Sequence, residues 1–220
     1  MYNFNKLMMF GVSIMSAHAH TDDHAQEERN DAQFGKASIG KLAMWIFLVT
    51  DAMSFSGFLL AYGVLRSTQD WPHPSDYLGI NLSGFATFIL ICSSVSMVMS
   101  IDACKGKDRK GMLNWLLATI AGGVIFLGVQ VYEYTHLVHQ GITLANFAQG
   151  NNLFASTFYI VTGYHGLHVL TGVIYLCCEY RFALQGRYDN GDYNRLEILG
   201  LFWHFVDLVW ILVFTFIYLL

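Results

Sequence analysis

The sequence predicts an all-α membrane protein, a bundle of five transmembrane helices, and three observations carry that reading. Of its 220 residues 55% are hydrophobic and 15% aromatic, but only 13% are charged. A soluble helical protein keeps roughly a quarter of its residues charged, because water wets one face of each helix. Apolar runs of about 20 residues, enough to cross a hydrocarbon core of about 30 Å, occur five times. These runs do not alternate apolar with polar positions, so they are helices and not barrel strands, since backbone amides in lipid must be satisfied inside the segment. The net charge of -4 and the lack of a Lys/Arg block exclude the nucleic-acid class of partner.

Residues 1–39 read as a polar or interfacial tail. Lys6, the run Leu7 to Ser16 and then Ala17-His18-Ala19 look like a short signal peptide. Cleavage there would invert the charge bias described below, and the run is too short to span; the expectation is an uncleaved interfacial segment followed by a disordered acidic stretch, Thr21 to Gln33. His18, His20 and His24 belong to this tail, and a mobile polar segment accounts for them more simply than a metal site. The transmembrane domain, residues 40–220, holds helices over about 41–65, 81–101, 112–135, 153–178 and 196–220. Between the first two, Trp71-Pro72-His73-Pro74 marks a loop. Cys92, Cys104, Cys177 and Cys178 form no C-x-x-C pair and read as small hydrophobes. Gly122, Gly123, Gly128, Gly163 and Gly166 mark places for close helix approach.

Orientation follows from the basic residues, which stay cytoplasmic on insertion. Lys105, Lys107, Arg109 and Lys110 crowd the second connection and Arg181, Arg187 and Arg195 the fourth, while residues His136 to Asn152 contain neither Lys nor Arg. The amino terminus is therefore expected in the cytoplasm, with Arg29 and Lys36, and the carboxyl terminus on the outer side. Arg66 is the exception to this bias.

An ionisable residue at mid-membrane costs several kcal/mol unless it finds a partner. Asp51, His165, His168, His204 and Asp207 each lie about ten residues, or roughly 15 Å, from a helix end. Equal depth predicts one polar cluster between the first, fourth and fifth helices. His165/His168 and His204/Asp207 are spaced to share a face, and Trp203 and Trp210 extend the fifth-helix face. Glu133, nearer the outer end of the third helix, is expected to snorkel or to pair locally with Tyr134 or His136. Two readings stand for the cluster: interhelical hydrogen bonds that hold the bundle, or a protonatable site, with Asp51 the candidate. Haem ligation by His165, His168 or His204 is a third, which nothing in the spacing requires.

Three segments carry a resemblance: Y-E-Y at Tyr132 to Tyr134, S-T-F-Y-I-V-T-G-Y-H-G-L-H-V at Ser156 to Val169, and W-H-F-V-D-L-V-W at Trp203 to Trp210. With the first helix, W-I-F-L-V-T-D-A-M-S-F-S-G, they resemble the subunit III family of haem–copper respiratory oxidases in its five-helix bacterial form. Many members have two further leading helices, absent here. An aspartate at position 51 resembles the bo-type quinol oxidases, where many cytochrome c oxidases carry a carbodiimide-reactive glutamate. The Trp71-Pro72 loop and the Tyr132 motif look more like cytochrome c oxidases, so the electron donor stays open.

The resemblance implies a non-catalytic subunit of a proton-pumping terminal oxidase reducing dioxygen to water in the bacterial cytoplasmic membrane. It implies no metal in this chain, haem and copper in partner subunit I, and copper in subunit II where cytochrome c is the donor. Subunit IV and a respiratory supercomplex are further partners it brings into view, with structural phospholipids. On it Asp51 supports proton uptake, His165, His168, His204 and Asp207 brace the bundle, Glu133, Trp203 and Trp210 are motif residues, and Arg181 meets a lipid head group. A stand-alone transporter and a haem-binding membrane anchor are the rivals from other classes.

Overall fold

The computed structural model describes residues 38–68, 71–73, 78–145, 151–189 and 192–220. The expectations for the signal-like run, the acidic stretch, His18, His20, His24 and Pro74 lie outside the described residues. The chain divides into two compact units, Met1–Trp45 and Ile46–Leu220. Only residues 38–45 of the first are described, as the opening of a helix; the following account concerns the second.

Among the described residues five helices are long and apolar enough to cross a membrane: α1 (Ile39–Thr68), α2 (Ile80–Lys105), α3 (Arg109–His139), α4 (Asn152–Leu184) and α5 (Asn194–Phe214), the last running on as a π-helical turn over Thr215–Leu219. Each helix overruns its apolar stretch. The 33 residues of α4 extend about 50 Å at 1.5 Å per residue, well beyond the hydrocarbon core, because polar flanks keep helical hydrogen bonds into the head-group region.

Local chemistry fixes the ends. Asp108 caps α3 by accepting from the Gly111 amide at 3.1 Å, and Asn151 caps α4 from Leu153 at 2.9 Å. α3 and α4 both stop where a glycine turns left-handed, Gly141 at φ 79° and Gly186 at φ 81°. The next amide in each case, Ile142 or Arg187, returns to a carbonyl five residues back, Leu137 or Phe182.

Hydrogen bonds show α2 and α3 running antiparallel. Ser83 meets Glu133 at one end of α2/α3, Ser96 meets Thr119 at 2.8 Å midway, and Ser100 donates to the Met112 carbonyl at the other end. The polar spine of the bundle is on α2: Ser83, Thr87, Ser93, Ser96 and Ser100 are all buried and repeat at helical spacing. By contrast α1 buries only Leu48, Asp51, Phe55 and Tyr62. These lie on one narrow stripe, so most of α1 from Ile46 onward is left facing outward with Ile46, Val49, Met53 and Leu60.

Of the small residues expected to mark close approach, a Cβ on Gly122 would fall 2.6 Å from Ser93, on Gly123 2.6 Å from Val173, and on Gly166 2.5 Å from Gln130. Gly128 has open space and Gly163 only the Tyr134 hydroxyl at 3.5 Å. Spacing alone does not separate a helix face that meets a neighbour from one that meets lipid.

Candidate functional site

The five mid-membrane ionisable residues do not form one cluster; neighbouring hydroxyls and rings divide them into three. Asp51 is buried on α1 and faces α4. His168 Nε2 lies 3.3 Å from Asp51 Oδ1, and the Tyr164 hydroxyl donates to the same oxygen at 3.2 Å. His168 Nδ1 is 2.8 Å from the Tyr164 carbonyl. A carbonyl only accepts, so Nδ1 carries a hydrogen. Asp51, His168 and Tyr164 thus form one hydrogen-bonded polar group that joins α1 to α4. Phe55 packs edge-on to His168 at 5.4 Å and against Tyr164 at 4.9 Å, enclosing it.

His204 turns the other way. Its Nδ1 is 2.6 Å from the Ser94 hydroxyl of α2, and Ser94 lies beside the Asp207 carboxyl as well. Sequence reasoning missed α2 here because serines carry no charge to flag; the closely set Ser93, Ser94 and Ser96 were the available signal. His165 is wholly enclosed and neither ring nitrogen has a hydrogen-bond partner. Rings surround it instead: Trp210 tilted by 30° with centroids 4.8 Å apart, Phe126 edge-on at 5.8 Å and Phe55 at 6.3 Å. The motif tryptophans bind α2. Trp203 Nε1 donates to Ser93 at 3.1 Å and Trp210 Nε1 to Thr87 at 2.8 Å, so each ring fills the core while its polar edge is satisfied.

Glu133 overturns the expectation of snorkelling. It is buried, accepting from Ser83 of α2 at 2.9 Å and from Tyr218 at the end of α5 at 2.8 Å, and so fastens three helices. Its position near a helix end concealed this, because depth along one helix says nothing of what packs beside it. Next to it Gln130 donates to the Thr162 carbonyl at 2.8 Å, and Tyr134 meets the Thr162 hydroxyl at 2.7 Å.

A second carboxylate escaped sequence reasoning at the opposite, basic end. Glu179 is fully enclosed, held by Arg195 at 3.1 and 3.2 Å and by the Tyr188 hydroxyl. Arg109 ties the same loop through Asp189 at 3.3 Å and the Leu184 carbonyl at 2.6 Å, and Lys105 pairs with Glu197 at 3.0 Å. Burial, and then the hydrogen bond to Glu179, push the Tyr188 phenol above its ordinary range. A raised acid favours the folded chain below the unfolded phenol value of about 10, so this contact is intact at neutral pH and weakens only in strong alkali. Tyr188→Phe is expected to cost about 0.5–1.5 kcal/mol in thermal unfolding at pH 7, with no effect on the Asp51 site. Arg181 is exposed on α4.

No three side chains of metal-ligating type gather at one point among the described residues. Of the three candidate haem ligands, His168 has both ring nitrogens engaged, His204 one, and His165 is enclosed by rings.

Comparison with known proteins gives a consistent picture. The family model described as cytochrome c oxidase subunit III matches residues 2–220. The chain is 38% identical over 189 residues to cytochrome c oxidase subunit 3 of Synechocystis sp., covering 84% of this chain and 78% of that one. It is 33% identical to the cytochrome bo(3) ubiquinol oxidase subunit 3 of Pseudomonas putida, covering 81% and 84%. Quinol oxidase subunit 3 of Bacillus spizizenii is 29% identical, covering 90% and 97%.

Proposed function

Because the chain belongs to the cytochrome c oxidase subunit III family, whose relatives serve cytochrome c and quinol oxidases alike, we propose that it is the accessory subunit of a terminal oxidase fed by cytochrome c, bracing subunit I, holding lipid and supporting proton uptake. The observation that carries the proton role is the Asp51–His168 contact, 3.3 Å apart with Tyr164 donating to the same oxygen. Haem and copper belong to partner subunits I and II and supply the redox chemistry there. This chain's groups contribute packing and one exchangeable proton. Basic residues clustered in the second and fourth connections support a reading in which those loops and the amino terminus face the cytoplasm, the membrane being a bacterial inner membrane. Arg181 is then placed to hold a lipid phosphate, and subunit IV or a supercomplex would add further neighbours.

Asp51→Asn is the test. An amide preserves the hydrogen-bonding shape but cannot take up the proton, so the assembled oxidase is expected to form in normal yield and either to take up protons several-fold more slowly or to inactivate sooner during turnover. Unchanged values for both would reduce Asp51 to packing. The quinol-oxidase reading is favoured by the broad match to the Bacillus spizizenii protein. A dinuclear copper motif in the subunit II that co-purifies decides for cytochrome c, and its absence for quinol.

A further inference from the structure

The carboxyl-terminal half of α1 carries a groove that the bundle does not fill. Ser56, Leu60, Gly63, Val64 and Ser67 lie along it and Phe216, from the π-helical turn, forms one wall, around a space of about 460 Å³. Its hydroxyls are turned back on their own helix, Ser56 to the Met53 carbonyl and Ser67 to the Val64 carbonyl, each at 2.8 Å. The groove therefore asks its occupant for no hydrogen bond. A Cβ on Gly63 would meet nothing within 4 Å. Glycine in a helix costs about 1 kcal/mol against alanine, and no neighbour among the described residues uses the room it leaves.

Arg66 stands at the end of this groove, and it is the basic residue that breaks the charge bias of the connections. One N–H of its guanidinium donates to the Leu220 main-chain oxygen, which holds the group beside the end of α5 and uses one of its five donors. Close by, Trp71 Nε1 donates to the Tyr62 hydroxyl at 3.2 Å with the two rings edge to face. Such amphipathic rings collect where hydrocarbon gives way to head groups.

Length selects the occupant. Ser56 to Ser67 is about 17 Å at 1.5 Å per residue, roughly half of a hydrocarbon core of about 30 Å. A partner's transmembrane helix runs the whole core, whereas an acyl chain runs one leaflet. A second copy of this chain would set Arg66 against Arg66. A phosphodiester suits the guanidinium, whose planar fork can give it two parallel hydrogen bonds. We propose that the groove between α1 and Phe216 is a binding site for one phospholipid of the outer leaflet, its acyl chain against Gly63 and its phosphodiester on Arg66. The inference rests on the orientation proposed above, with the first connection outside, and gives the lipid-holding role a place and a head-group contact.

The experiment uses the intact oxidase, purified with its subunits and carrying a benzophenone amino acid at position 60 or, as control, at position 49. Both native side chains are exposed on α1, but only Leu60 lies in the groove. After extended washing in detergent, irradiation is expected to attach phospholipid at position 60 and not at position 49, read by mass. Added phosphatidylglycerol should restore the adduct to oxidase stripped of lipid. Gly63→Leu fills the groove and should abolish the adduct while assembly is unchanged, since no side chain stands near position 63. Arg66→Gln should lower the adduct about two- to fivefold, the scale of one exposed ion pair, and Arg66→Lys should recover most of it. Attachment of position 60 to another subunit or to a second copy overturns the proposal, as do equal phospholipid adducts at positions 49 and 60 and an adduct indifferent to either Gly63→Leu or Arg66→Gln. A phospholipid adduct at position 60 on a chain that no oxidase subunit accompanies upholds the site and sinks the oxidase reading instead.

Discussion

Gly172→Val is expected to prevent stable assembly of the bundle, with yield falling sharply and thermal unfolding of whatever protein is recovered shifted down. A Cβ at position 172 would sit 2.8 and 2.9 Å from the Trp203 ring and 3.2 Å from Phe202. Trp203 has nowhere to go. A Cβ at Gly123, from α3, would lie 2.7 Å from the far edge of the same ring, and Ser93 holds its indole nitrogen. Overpacking by one methyl costs about 1–3 kcal/mol in an unyielding core, and valine adds two more carbons. Gly172→Ala should therefore fall between valine and the unaltered chain. Gly128→Ala is the control: position 128 meets open space, and alanine favours a helix over glycine by about 1 kcal/mol. Equal loss of stability in Gly172→Ala and Gly128→Ala would mean that the ring is not clamped as described.

Glu133→Leu is expected to lower stability by about 1–3 kcal/mol, the cost of stranding a buried hydroxyl. The Ser83 and Tyr218 hydroxyls would lose their shared acceptor. Ser83 can return to the Gly79 carbonyl, 3.3 Å away, so the penalty falls mainly on Tyr218, which is 2% exposed and lies in the π-helical turn. Glu133→Gln keeps an acceptor oxygen and should recover most of the loss. Tyr218→Phe combined with Glu133→Leu removes both partners, and the double variant should be more stable than Glu133→Leu alone. A double variant as unstable as the sum of its parts would show that the two side chains act independently.

The existence of five spanning helices was legible because the signal is carried by composition: an apolar run long enough to cross lipid leaves no alternative to a helix. The positions of Asp51, His168, His204 and Asp207 along their helices were legible for the same reason, since rise per residue converts residue number into distance. What depth could not give was azimuth. His165 and His168 are one turn apart on α4, yet His168 meets a carboxylate and His165 only rings. Glu133 and Glu179 both lie near helix ends, where a reading of single helices gives them to water; in the fold each is enclosed.

By itself the sequence determined what must lie in the membrane, how many times it crosses, and which segments match a family, because all three depend on the order of residue types along one chain. Tertiary structure alone decided which hydroxyl answers which charged group: Ser94 for His204, Tyr164 for Asp51, Ser83 and Tyr218 for Glu133. The reason is physical. Burial cost is set one residue at a time, but a hydrogen bond needs two groups within about 3 Å, and the rotation of each helix about its own axis, fixed by the packing of rings such as Trp203 against glycine, settles which two meet.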